Sequence, residues 1–89
     1  MSQWSLDFLP EAQANLSDFD LAQRQKILIK LRWLVENFDS ITPTSLRGEF
    51  KEFFKLRVGD IRIFYKINWQ IDKIIVCHIA KRDKAYQRN

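Results

Sequence analysis

Lys55, Arg57, Arg62 and Lys66 recur at every second position in two short runs rich in β-branched and aromatic residues, residues 53–58 and 61–67. Lys51 stands just before the first run, and a second basic cluster, Lys81, Arg82 and Lys84, precedes Tyr86 near the end of the chain. Cations presented from neighbouring strands form a phosphate-facing surface, and arginines add bidentate contacts that lysine cannot copy. On RNA such side chains suffice for catalysis without a metal, because the substrate carries its own nucleophile, the 2′-hydroxyl. The reaction then needs a base for that hydroxyl, cations for the charge growing on the scissile phosphate, and a proton for the leaving 5′-oxygen. A lone lysine is a poor base at neutral pH, but neighbouring cations disfavour the ammonium form, and Arg57, Arg62 and Lys66 surround Lys55 in the pattern. A tyrosine can stack on an exposed base or exchange a proton.

Other chemistries lack their equipment. His78 is the only histidine, so a pair of imidazoles is excluded, and its place inside an apolar run predicts a packed core residue rather than a catalyst. Cys77 is the only cysteine, which rules out an internal disulfide and fits a reducing compartment. The acids are scattered without metal-ligand spacing, and neither a glycine-rich phosphate loop nor a nucleophile elbow is present, so no cofactor is expected. The opening MSQWSLDFLPE has no basic leader and no segment is apolar over a membrane-spanning length, which predicts a cytoplasmic protein with no membrane partner.

The 89 residues predict a single domain over 1–89, with an apolar share of 46% that supports a packed core. Its net charge of +4 is unevenly placed: up to Ser45 six acids face four bases, whereas from Leu46 eleven bases face five acids. The basic half calls for an acidic partner, a nucleic acid or an acidic protein.

The elements that must position these cations follow from periodicity. Trp4, Leu6 and Phe8 alternate with polar residues as in a short strand, and Pro10 with Glu11 opens a first helix that ends near Asp18. Asp20 caps a second, longer helix in which Leu21, Ile27, Leu28, Leu31, Leu34, Val35 and Phe38 form an apolar stripe. Trp33 and Ile29 widen that stripe toward a surface suited to another chain. A turn-rich connection, DSITPTS at 39–45, leads to the hairpin, whose two runs meet across Val58-Gly59-Asp60. Alternation there sets Lys55, Arg57, Arg62, Phe64 and Lys66 on one face and Phe54, Leu56, Val58, Ile61, Ile63, Tyr65 and Ile67 on the core side. Residues 74–80, apolar on both faces, predict a strand in the middle of the sheet. The expected fold is α+β: a strand, then two helices packed on one face of a mostly antiparallel four-stranded sheet, with the basic face left open.

LRGEFKEFFKLRVGDIRIFYKI at 46–67, the apolar strand after it and AKRDKAYQR at 80–88 resemble the C-terminal half of the RelE family of toxins from bacterial toxin-antitoxin pairs, within the wider RelE/ParE group. The strand and helix pair ahead of them extend the resemblance over nearly the whole chain. It implies a ribosome-dependent mRNA endonuclease that cuts codons in the ribosomal A site and is held silent by an acidic, RelB-like antitoxin. In that frame Lys55 is the candidate base, Arg62 the phosphate stabiliser, Arg82 the second cation and general-acid candidate, and Tyr86 the stacking or proton-exchanging aromatic. Arg57, Lys51, Lys66, Lys81 and Lys84 fall in the RNA- and phosphate-binding set. The chain departs from the pattern at Phe53, where some members carry a second lysine, and at Ala80-Lys81, where many have Gly-His.

Two other functions fit the same residues. A ParE-like toxin poisons DNA gyrase without cutting RNA, and a non-catalytic module docks the antitoxin and meets operator DNA only as the complex. In each case the acidic antitoxin is an expected partner, either folding over the basic groove or lying along the apolar surface near Trp33 and Ile29.

Overall fold

Alternation and helical spacing translate directly into the elements of the computed structural model, which describes residues 4–50 and 52–81. Strand β1, Ser5–Phe8, runs into helix α1, Pro10–Ser17, with Pro10 in its first turn. Helix α2, Leu21–Asn37, begins where Asp20 accepts a hydrogen bond from the Gln23 backbone N–H at 2.8 Å, a cap of about 1 kcal/mol. A 3₁₀ turn at Phe38–Ser40 follows, then the two-residue strand β2, Thr44–Ser45, and a second 3₁₀ turn at Gly48–Phe50. Strands β3, Phe54–Val58, β4, Ile61–Asn68, and β5, Lys73–Lys81, complete the sheet. Its spatial order is β1-β5-β4-β3-β2, with β1 parallel to β5 and every other pair antiparallel.

Among the described residues the sheet therefore has five strands where four are expected. The extra one lies in the connection read as a turn, where Thr44 and Ser45 pair with Lys55 and Phe54. The apolar strand at 74–80 is central as predicted, between β1 and β4. The β3–β4 hairpin closes with a two-residue loop, since Val58 pairs Ile61 across Gly59-Asp60. Gly59 takes φ +57°, a left-handed value that suits a tight hairpin and that a side chain disfavours.

Both helices pack on one face. Ile27, Leu31 and Leu34 of α2, with Phe38 and Ala12 of α1, meet Ile61, Ile63, Tyr65, Ile74, Val76 and Ile79 in one cluster. Leu21 and Leu28 of the predicted stripe are exposed, as are Ile29 and Trp33. They sit one side-step around the helix from Ile27, Leu31 and Leu34, beyond the arc that a flat sheet can cover from one side. Burial raises the pKa of the Tyr65 phenol to about 12, as its place in this core demands.

Beyond the end of β1, α1 takes over the edge of β5. Leu9 N–H donates to the Val76 carbonyl at 2.9 Å, and the Ile79 N–H, beyond the last β1 pair at Phe8 and Val76, donates to the Asn15 side-chain oxygen at 3.0 Å. A side-chain amide here replaces a strand partner for a backbone donor that would otherwise be costly to bury.

Candidate phosphate-binding face

The register of the hairpin decides how the cations meet. Across β3 and β4, Lys55 faces Phe64 and Arg57 faces Arg62. Extended across β5, these become two rows, Lys55–Phe64–His78 and Arg57–Arg62–Ala80, on the side of the sheet away from the helices. Two arginines directly opposite each other in an antiparallel pair repel, a cost of a few tenths of a kcal/mol up to about 1 kcal/mol.

Arg62 is also buried, at 7% exposure, although the charge pattern predicts an open face. Its Nη1 donates to the Gly59 carbonyl at 3.4 Å, a long bond that engages one of its five donors. Among the described residues no carboxylate forms a salt bridge with Arg62, Arg57 or Lys55, whereas Lys66 pairs Glu52 at 3.3 Å and lies 4.7 Å from the centre of the Phe53 ring. Lys66 is thus partly neutralised, and among the described residues of this face the charge left for a ligand is that of Lys55, Arg57 and Arg62.

Lys81 does not join them. It pairs with Ile61, a core-side residue, so it leaves the end of the sheet from the helix side. Lys51, Arg82, Lys84 and Tyr86 lie outside the described residues.

His78 is the main correction to the sequence reading. Strict alternation from Val76 would send it into the core. A β-bulge intervenes: Phe64 pairs His78 while Tyr65 pairs Val76, so Cys77 is the extra residue. Val76 and Ile79 both keep their buried places, and His78 turns to the basic face. There its ring stacks on Phe64, with centroids 5.9 Å apart and planes 26° from parallel, and its Nδ1 meets Glu11 Oε2 at 2.6 Å. Cys77 is buried, and burial pushes its thiol upward, away from the reactive thiolate. Glu11 carries no signal of this contact in the sequence beyond its place in the first turn of a helix. Among the described residues no group of His, Cys, Asp and Glu is arranged to hold a metal ion.

A helix pair packed on one face of such a sheet is a fold this chain shares with solved toxins of toxin-antitoxin systems. The RelBE2 toxin-antitoxin complex of Mycobacterium tuberculosis superposes with a TM-score of 0.76 at 17% identity, covering 89% of this chain and 98% of the other. The isolated Escherichia coli RelE toxin gives 0.74 at 20% identity over 97% and 87% of the two chains. The YoeB/ParE toxin from Agrobacterium tumefaciens gives 0.71 at 14% identity over 86% and 96%. Likeness at such low identity shows the fold. The family itself is shown by sequence: the model of the ParE toxin of type II toxin-antitoxin systems, parDE, matches residues 6–86, and the chain belongs to that family. It is the toxin of a toxin-antitoxin system. No curated protein sequence matches the chain. Among the described residues no helix is long and apolar enough to cross a membrane.

Proposed function

We propose that this toxin is a ribosome-dependent mRNA endonuclease. The observation that carries the proposal is the opposed pair Arg57 and Arg62, one exposed and one buried, beside Lys55 and without a salt-bridging carboxylate among the described residues. A fold tolerates such a pair at a cost, and an anionic phosphate relieves it with charge-assisted, bidentate bonds. Lys55 accepts the 2′-hydroxyl proton, the oxygen attacks the scissile phosphorus, and the bond from phosphorus to the 5′-oxygen breaks as that oxygen takes up a proton. Arg62 and Arg57 stabilise the charge on the non-bridging oxygens. Arg82 supplies a further cation, Tyr86 stacks on a base, and Lys51, Lys66 and Lys84 steer the backbone of the message. The ribosome contributes the alignment of the message that a small, shallow face cannot impose alone.

The partner that silences the toxin is, in this reading, an acidic RelB-like antitoxin. The RelBE2 toxin-antitoxin complex and the archaeal RelE–RelB complex from Pyrococcus horikoshii, which share this fold, support an antitoxin partner. The antitoxin complex, rather than the toxin alone, meets operator DNA.

The test is induced expression of the wild type and of Arg62→Ala, with cellular mRNA ends mapped by primer extension. New ends inside translated codons, lost in a folded Arg62→Ala protein, are the expected result. The family match favours one second reading, a ParE-type toxin that poisons DNA gyrase and leaves RNA intact. Growth arrest that survives Arg62→Ala combined with Arg82→Ala, with trapped gyrase–DNA complexes and unbroken messages, would establish that reading instead.

A further inference from the structure

The row Lys55–Phe64–His78 has a titratable group at each end and, between them, the buried ring of Phe64 on which His78 stacks. At one end stands the candidate base. At the other, His78 Nδ1 lies 2.6 Å from Glu11 Oε2, a short hydrogen bond. That bond commits one ring nitrogen to the carboxylate and fixes the other, Nε2, as the nitrogen free to exchange a proton. Among the described residues nothing bonds Nε2, and the side chain is 36% exposed, on the basic face rather than in the core.

Cleavage needs a proton for the leaving 5′-oxygen, and the cations of this face are poor sources of one. Arginine does not give up its proton in proteins, which leaves Arg82, the general-acid candidate of the family resemblance, the role of a cation, and Lys55 is occupied in accepting a proton. Imidazole is the side chain suited to proton transfer near neutral pH. Position matters as much as chemistry. In-line attack places the entering 2′-oxygen and the leaving 5′-oxygen on opposite sides of phosphorus, so base and acid must flank it. Lys55 and His78 flank Phe64 from backbones about 10 Å apart, two paired Cα separations. Arg57 and Arg62 occupy the next row, beside the non-bridging oxygens.

The geometry points to His78, held by Glu11, as the general acid of RNA cleavage. This rests on the ribonuclease reading. As the 2′-oxygen, deprotonated by Lys55, forms its bond to phosphorus, the bond from phosphorus to the 5′-oxygen breaks. The proton on Nε2 of the doubly protonated ring passes to that 5′-oxygen. The products are a 2′,3′-cyclic phosphate and a 5′-hydroxyl, and solvent returns one proton to His78 and takes one from Lys55. Glu11 is a positioning residue, acting through His78. The pair is not needed to fasten α1, which is already held by the Asn15 bond to the Ile79 N–H and by buried Ala12.

The experiment compares two messages in programmed ribosomes, one natural and one with a bridging sulfur in place of the 5′-oxygen at the cleaved position. A thiolate leaves without protonation, so loss of a general acid matters only for oxygen. Wild-type toxin, His78→Gln and Glu11→Gln are measured on both, with ribosome binding followed separately. The expected result is that His78→Gln cleaves the natural message about 10²- to 10³-fold more slowly. On the sulfur message it should stay within about fivefold of wild type. Glu11→Gln should show a smaller loss with the same dependence on the leaving atom. A His78→Gln protein that cleaves the natural message within about threefold of wild type overturns the assignment. So does an equal loss on both messages with ribosome binding retained. Should His78→Gln fail to bind, imidazole added to His78→Ala must restore cleavage of the natural message, and its failure to do so overturns the assignment too. A wild type that cuts neither message instead removes the ribonuclease reading itself.

Discussion

Replacing Arg57 by glutamate should make the protein more stable and less active. Arg57 faces Arg62 directly across β3 and β4, and among the described residues no carboxylate salt-bridges either. A like-charge pair at this separation costs a few tenths of a kcal/mol up to about 1 kcal/mol, and an opposite pair contributes a similar amount. Reversing one sign therefore recovers both terms, about 0.5–1.5 kcal/mol in total. For a chain of this length 1 kcal/mol corresponds to about 4–8 °C in melting temperature. Arg57→Glu should melt several degrees above the wild type at low salt, and the gain should shrink as ionic strength approaches about 0.5 M, because the exposed partner is screened. A cycle with Arg62→Gln isolates the pair: the advantage of Arg57→Glu should vanish when Arg62 is gone. Cleavage should fall in the same variant, since one of the phosphate contacts has become a repulsion. An Arg57→Glu protein that melts below wild type, or whose gain persists in the Arg62→Gln background, would refute the argument that the opposed arginines are an unrelieved cost held for a ligand.

Further outcomes follow from the fold. Asn15→Leu strips the Ile79 N–H of its acceptor and should cost about 1–3 kcal/mol in chemical denaturation, where Asn15→Asp, which keeps an oxygen, costs less. Asp20→Ala removes the α2 cap and should lower stability by about 1 kcal/mol without abolishing growth arrest. Leu34→Ala opens a cavity under α2 and should cost about 2–5 kcal/mol by the same assay. The Tyr65 phenol, raised from its ordinary value of 10.0 to about 12, binds its proton more tightly in the folded protein. Its contribution is therefore complete below pH 10 and is lost as pH rises from 10 through about 12. Tyr65→Phe should flatten that alkaline loss of stability, as followed by circular dichroism.

Much of the architecture was legible because β-structure with one buried face leaves a period of two in the chain. Residues 54–58 and 61–67 announce both the core side and the basic side. The glycine at position 59 marks the turn whose two-residue loop then sets Arg57 against Arg62. Asp20 and Pro10 mark both helix starts correctly, since a cap and a first-turn proline act within a few residues of their own position. Thr44–Ser45 was not legible as a strand, because two residues carry no period and pair only where β3 offers an edge.

The site divides in the same way. Residue types and alternation, which are properties of the chain, determined that Lys55, Arg57, Arg62, Phe64 and Lys66 share a face. The tertiary structure decided how charged that face is. Glu52 reaches Lys66 and partly neutralises it, and Arg62 is sheltered where a solvated cation was expected. It decided the place of His78 as well, through one surplus residue in β5. A bulge depends on how two strands match in length and twist, not on the residues at which it falls. The contact between Glu11 and His78 spans 67 residues of sequence and exists only because β1 ends early and lets α1 close the edge of β5.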